Sequence, residues 1–446
     1  MRREILMPTV TPSMKDGKIS RWHVAEGQAV AAGDLLVEVA TSTATFEIEA
    51  ENEGRVERIL VPAGTEGVKV NTPIAILFGG GEARTHTAAL AQPLGFASLE
   101  PTMRRDPPPR PQRRSTAARV EDQGPSYREA LRDALAAQMR ADPDVFLIGV
   151  DVAQNRGAPR VAQGLLDEFG PARVVSVPTL DEALFGIAVG AAFAGLKPVV
   201  EVPAWGRVME ALAPALASAA QTFYLSNGRL PVPIVIRGPN GFSQGMTGED
   251  ARCVAATLAQ IPGLKVVQPA TASTAGALLG AAIRDPGPVA VLEHEQLYPV
   301  REAPTEAGIG GLGVARLART GTDVTIAAAG HALTVALEAA NALSRNGIEA
   351  EVVDLMCLRP LDRETVAASV AHTGRLVTVE DGWGDLGIGA EIVASVVARG
   401  LQGLRSAPLR IAGTPVPMPY AAELQALALP TDEQVTRAVS AMVRGA

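Results

Sequence analysis

Hydrophobic positions divide the chain into three regimes. Residues 1 to 79 carry short alternating runs rich in Val, Ile and Thr, broken by Gly17, Gly27, Gly33, Gly54, Gly64 and Gly67, which predicts a small all-β unit. From 80 to 124 the periodicity vanishes, and Arg104 to Arg119 holds six Arg and four Pro in a polar background, the signature of an extended linker. From Tyr127 onward, continuous apolar runs of strand length alternate with helical patterns: Val145 to Ile148, Val174 to Val177, Val199 to Val202, Ile234 to Ile236 and Val289 to Leu292. Strands apolar on both faces belong to a parallel sheet covered by helices. A Gly-rich break, Gly308-Ile309-Gly310-Gly311-Leu312-Gly313, precedes a second set: Val324 to Ala328, a helix near Thr334 to Asn346, Ala350 to Leu355, and Leu376 to Glu380. The expected organisation is multidomain: an all-β unit (1–79), a linker (80–124), an α/β domain with a parallel sheet (125–305), a short linker (306–320) and a second α/β domain (321–446).

Composition sharpens this only at the margins. A chain of 446 residues with 47% hydrophobic and 20% charged positions has ample material for several globular cores. The net charge of -8 argues against general nucleic-acid binding. Cys253 and Cys357 are the two cysteines, too few for a disulfide framework, so a reducing, cytoplasmic setting is expected. Met1-Arg2-Arg3-Glu4 leads into a strand-like run, not a signal-peptide core. The most apolar stretch, Ala183 to Leu196, is shorter than the roughly 20 residues of a membrane span and reads as a buried helix. The series Gly186, Gly190, Gly195 falls on it and is explained by close helix packing. His294, His331 and His372 have no ligand spacing and read as ordinary residues.

The segment GDLLVEVATSTATFEIEA (33–50), with MPTVTPSMKDGKISRWHVAEGQAV before it and GRVERILVPAGTEGVKV after it, resembles a lipoyl domain, which implies a flattened β-barrel. In that family a Lys at the hairpin tip carries the lipoyl arm. Here Thr43 occupies the position, Ala40 and Ser42 replace the flanking acids, and no Lys lies between Lys18 and Lys69. A hydroxyl cannot form the amide, so no covalent lipoate is expected, and a docking or structural role remains beside that of a relic.

Residues 126 to 446 resemble, over their whole length, the β subunit of the thiamine-diphosphate-dependent decarboxylating component of 2-oxoacid dehydrogenases. The blocks are DVFLIGVDVAQ, GIAVGAAFAGLKPVVEV, PVPIVIRGPNG, IPGLKVVQPA, AAIRDPGPVAVLEHEQLY, LRPLD, VEDGWGDLGIGAEI and VPMPYAAEL; the last three are similar to pyruvate-type sequences. The resemblance implies a pyrimidine-binding domain followed by a C-terminal transketolase-type domain. It also implies a separate α subunit that carries the diphosphate and magnesium, since this chain has no G-D-G motif, an α2β2 assembly, an acyltransferase component as acceptor, and a small 2-oxoacid substrate; no nucleic acid or membrane is involved. The family's Glu, which meets the pyrimidine ring nitrogen, falls at Asp181, one methylene shorter. Pro203 and Arg207 fall beside the aminopyrimidine, Arg207 in place of an aromatic ring. The active-site His falls at Asp250, and the paired acids of a further block are Val150-Asp151. Arg207 and Asp250 have the charges to form an ion pair across the site. Ile234, Ala282, Ile283, Asp285 and Gly287 match a potassium site built largely from backbone carbonyls.

Three functions follow from the resemblance. One is a working dehydrogenase β subunit. Another is a carboligase that passes the acyl carbanion to a non-lipoyl acceptor. The third is an active-site-altered pseudoenzyme kept for assembly, which positions 43, 181, 207 and 250 motivate.

Overall fold

In the computed structural model, residues 2–7, 16–30, 34–40, 45–49, 54–70, 72–78, 124–154, 161–178, 182–242, 248, 250–303, 309, 311–400 and 403–445 are described. Thr43, Asp181 and the expected linker lie outside them. The chain divides into two compact units, Met1–Gln112 and Arg113–Ala446.

The first unit is all β: β1 (Arg2–Leu6), β2 (Asp16–Trp22), β3 (Ala29–Val30), β4 (Leu35–Ala40), β5 (Thr45–Glu49), β6 (Gly54–Ile59), β7 (Val68–Lys69) and β8 (Pro73–Phe78). They form two four-stranded antiparallel sheets, β1-β8-β6-β3 and β5-β4-β2-β7. Alternation places Ile19, Val37, Val39, Val56, Ile74 and Leu77 in one shared core, as expected for strands with one buried face. Trp22 lies at its edge and donates its indole N–H to the Val61 carbonyl (2.9 Å).

The second unit opens with α1 (Tyr127–Ala141), started by a Ser126/Glu129 capping box, a pairing that satisfies two free helix-end donors at once. There follow β9 (Val145–Val150), α2 (Leu165–Phe169), β10 (Val174–Val177), α3 (Glu182–Phe193), β11 (Lys197–Glu201), α4 (Trp205–Leu225), β12 (Val235–Pro239), α5 (Ala255–Ala259), β13 (Lys265–Val267), α6 (Ala272–Arg284) and β14 (Val289–Glu293). The second half adds β15 (Arg316–Arg319), β16 (Val324–Ala328), α7 (His331–Ser344), β17 (Ala350–Asp354), β18 (Cys357–Arg359), α8 (Arg363–Thr373), β19 (Leu376–Trp383), α9 (Ile388–Val397), β20 (Leu409–Gly413), α10 (Ala422–Ala428) and α11 (Asp432–Arg444).

The larger sheet runs β10-β9-β11-β12-β14-β13-β18, parallel except where β18 pairs antiparallel with β13. The smaller runs β15-β17-β16-β19-β20, with β15 its antiparallel edge. Strand β18 belongs by sequence to the second half yet completes the first sheet. One hydrophobic core also takes Val200, Ile236 and Leu292 from the first half and Val353, Leu376 and Ile392 from the second. The two sheets share this core within one compact unit. The alternating helices cover both sheet faces, which is why residues 289–293, 324–328 and 350–354 are buried throughout.

Helix α3 departs from expectation. From Ala183 on its residues are apolar on all sides, the mark of a buried helix, yet Ile187 and Phe193 are 54% and 50% exposed, beside exposed Gly186 and Gly190. Gly195 lies beyond its end, in the left-handed region (φ +94°). No helix among the described residues is long and apolar enough to cross a membrane.

Candidate functional site

In a parallel sheet the carboxyl ends of the strands converge on one edge, where loops gather side chains. Glu201 and Glu293 close β11 and β14, and Arg237 lies between them in β12. Arg237 is fully buried and grips Glu293 through Nε and Nη2, both at 2.6 Å, while its Nη1 donates to Glu201 and the Tyr298 hydroxyl donates to Glu293 at 2.7 Å. Burial pushes the Glu201 carboxyl up. Burial alone would weaken the Arg237 charge, but Glu293 and Glu201 outweigh it and hold the guanidinium more firmly protonated than usual. Gly238, the next residue, has no room for a side chain: a Cβ would stand 2.3 Å from the Val202 carbonyl oxygen. That close approach fixes the turn from β11 into α4, which carries Pro203 and Arg207.

The structure brings Arg207 and Asp250 together. Arg207 Nε donates to Asp250 Oδ1 at 3.0 Å and Nη2 donates to Oδ2, a two-pronged pair with the side chains 54% and 31% exposed. Downstream, Asn240 receives the Val254 N–H (2.8 Å) and contacts Cys253 Sγ, tying the segment after Asp250 to the end of β12. Burial drives the Cys253 thiol up to about 11, which makes it an unreactive packing group. Asp151 is exposed, in the left-handed region (φ 57°).

Of the five residues expected to hold potassium, Ala282, Ile283, Asp285 and Gly287 lie at the end of α6 and the turn after it, and Ile234 bonds to Val289 just beyond that turn. The Ile234 carbonyl accepts the Val289 N–H (2.9 Å) and the Ala282 carbonyl accepts the Asp285 N–H (3.2 Å). Both oxygens of Asp285 are already engaged, one by the Gly287 N–H at 2.9 Å and one by the Lys265 ammonium at 2.5 Å. Ile283 is buried in α6 just before the turn.

A further cluster sets His294 and His331 apart from the ordinary residues they read as in sequence. His294, one residue past β14, and His331, the first residue of α7, stack with ring centroids 4.4 Å apart and planes 15° from parallel. Asp381 of β19 accepts from His331 Nδ1 (3.0 Å) and from the Ala332 N–H (3.1 Å). His294 Nδ1 receives the Gln296 N–H at 3.3 Å. His294, His331 and Asp381 form, among the described residues, a group whose candidate ligand atoms lie within 4.8 Å of one another. Imidazole lone pairs point along the ring plane, so two stacked rings do not converge on a single ion. Only the fold unites residues so far apart in sequence. His372, in the last turn of α8, is not part of the group.

Three domain families match the chain. Residues 3–77 match the biotin-requiring enzyme domain, 123–301 the transketolase pyrimidine binding domain, and 313–435 the transketolase C-terminal domain. An inactive β4 tetramer of a split-gene transketolase has a similar fold (TM-score 0.53, 23% identity, covering 72% of this chain and 99% of that one). The class is thus that of the transketolase-type, thiamine-diphosphate-dependent β chains, with a biotin/lipoyl-type domain in front. The pyruvate dehydrogenase E1 component subunit beta of Rhizobium meliloti (strain 1021) is 43% identical over 98% of this chain and 99% of its own. The mitochondrial beta-2 subunit of Oryza sativa subsp. japonica is 46% identical over 70% of this chain and 85% of its own. This chain belongs to the family of pyruvate dehydrogenase E1 component β subunits. Members of this family work with an α subunit.

Arg207 and Asp250 present a cation and an anion locked to each other, where the resemblance implies an aromatic shelf and an imidazole. An ion pair at a half-exposed site stays hydrated, so the apolar surface that Arg207 has to offer is its aliphatic stem.

Proposed function

We propose that this chain is the β-type subunit of a thiamine-diphosphate-dependent, pyruvate-type 2-oxoacid dehydrogenase decarboxylating component. An α subunit supplies the diphosphate cradle and magnesium in an α2β2 assembly, and an acyltransferase component accepts the acyl group. The observation that carries this reading is the end-to-end match to a pyruvate dehydrogenase β subunit, front domain included. The exposed apolar side of α3, with Ile187 and Phe193, supports a partner subunit on that face. The ring-nitrogen contact falls to Asp181, and the pyrimidine side to Pro203 and the aliphatic stem of Arg207. Potassium, at the turn of Ile234, Ala282, Ile283, Asp285 and Gly287, would be held through carbonyl oxygens, since Lys265 already neutralises Asp285. The domain spans stay as read from sequence: 1–79, 125–305 and 321–446, joined by 80–124 and 306–320. The front domain carries no lipoate, and two free cysteines suit a reducing, cytoplasmic setting.

One observation favours a second reading: the Arg207–Asp250 pair stands where cofactor chemistry is expected, as in a subunit retained for assembly. Reconstitution with the α subunit separates the two. The enzymatic reading expects thiamine-diphosphate-dependent release of CO2 from pyruvate, abolished by Asp181→Ala. A stable α/β complex that neither binds the cofactor nor turns over establishes the assembly subunit instead.

A further inference from the structure

The seam between the pyrimidine-binding half and the C-terminal half carries the chain's stacked histidines. His294 comes from the first half, and His331 and Asp381 from the second. Asp381 performs two tasks there: it receives the Ala332 N–H at the start of α7, where a carboxylate is favoured by the helix dipole, and it orients His331 through Nδ1. His294 is 3% exposed, the Asp381 side chain 3% and that of His331 18%, so water screens the group weakly. The seam is tight around it. Gly330, just before His331, has no room for a Cβ, which would stand 2.7 Å from the Gln268 side chain, and its N–H bonds the Gln268 carbonyl (3.1 Å). Gly382, just after Asp381, lies against Cys253, three residues from Asp250.

We propose that His294, His331 and Asp381 form a proton-operated latch between the two halves, engaged when a protonated His331 is held by Asp381 and rests on an uncharged His294. An imidazolium between a carboxylate and a neutral ring gains a charge-assisted hydrogen bond. Two imidazoliums stacked at 4.4 Å repel each other in a poorly screened place. A neutral His331 still donates to the Asp381 carboxylate but loses the attraction between opposite charges. The other charged groups facing the latch are Glu338, on the same helix as His331, and Glu380, beside Asp381.

The titration directions agree with this geometry. Burial alone would lower the His331 imidazole, but Asp381, through its charge and its hydrogen bond, outweighs it and holds the imidazole above its usual range. Burial lowers His294 to about 4. The His331 contribution is therefore complete below about pH 6.5 and is lost as pH rises through its folded-state value. The His294 contribution has the opposite sign. It is complete above about pH 6.5 and is lost as pH falls toward 4, because unfolding frees that ring to bind a proton. The latch is firmest near the ordinary histidine range. On the alkaline side its release loosens Asp381–Gly382 against Cys253, and with it the segment that holds Asp250 against Arg207.

Hydrogen–deuterium exchange of the full chain, corrected for the intrinsic pH dependence of exchange, tests this at residues 250–258 and 376–383. Protection should fall roughly threefold to tenfold between about pH 6 and pH 9, since one pKa unit of coupling is tenfold. His331→Gln should flatten that profile, and His294→Asn should keep it while removing the loss on the acid side. A wild-type profile that does not change with pH, or one that His331→Gln leaves intact, overturns the latch. Should His331→Gln not fold, ring NMR of the histidines in wild type and Asp381→Asn decides. His331 must titrate lower without Asp381, and an unmoved titration overturns the proposal.

Discussion

Two arginines show how burial sets what a charge contributes. Arg207 and Asp250 are partly exposed, so their attraction competes with water and contributes under about 1 kcal/mol. Arg237 answers two buried carboxylates, and the Tyr298 hydroxyl donates to one of them, Glu293. Arg237→Met should lower the unfolding free energy by about 3–5 kcal/mol, because it strands Glu201 and Glu293 as uncompensated buried acids. Denaturant titration of the full chain checks this; a loss below about 1 kcal/mol would mean that the carboxylates take up protons and repack without the guanidinium. The residue types of both pairs stand in the sequence, but only the Arg207–Asp250 contact is legible there, through motif positions that already place both at one site. The Arg237 network follows from strand register, which no local pattern encodes. The histidine stack follows from the docking of α7 and β19 against the end of β14, and the sequence gives no hint of it.

Elements show the same division. Strands of the parallel sheets are readable because both faces are apolar: β9, β10, β11, β12, β14, β16, β17 and β19 each overlap a continuous run, β12 at Val235 and Ile236 alone. Strands β13 and β18 are three residues each, too short for any period to register. Strand β15 lies at an antiparallel edge and keeps Leu317 half exposed, so it lacks the run that marks its neighbours. That β18 crosses to the first sheet is decided by pairing partners far away in the chain. Packing between elements is equally unreadable and equally exacting. At Gly263, before β13, φ is +88° and a Cβ would stand 1.8 Å from the carbonyl oxygen of Ala220 in α4. Gly263→Ala should therefore cost about 3 kcal/mol through strain and forced separation of α4. The thermal midpoint of the variant reads this, and an unchanged midpoint would show that the loop before β13 yields freely.

On the scale of the whole molecule, α3 is the element that the single chain leaves unfinished. The sequence expectation of a buried helix was physically sound, since an amphipathic face is absent and exposed apolar area favours association. Within one chain, however, one side of α3 packs on the core through Leu184, Phe185, Ala188 and Val189, while Ile187 and Phe193 face outward beside Gly186 and Gly190. Small residues at that spacing let another backbone approach closely, so a partner helix is the natural cover. Ile187→Asp places a charge in the middle of this face without touching the core. The variant chain alone should keep its unfolding free energy to within about 0.5 kcal/mol. Its affinity for the α subunit should fall at least about tenfold, because desolvating an unpaired carboxylate at the centre of an interface costs more than the roughly 1.4 kcal/mol that a tenfold loss represents. Analytical ultracentrifugation of the mixed subunits measures the complex, and denaturant unfolding of the isolated chain measures the fold. Assembly as tight as that of the unaltered chain would place the partner on another face. Weakened assembly with an intact fold would mean that the bareness of α3 in the single chain is the imprint of the subunit that covers it.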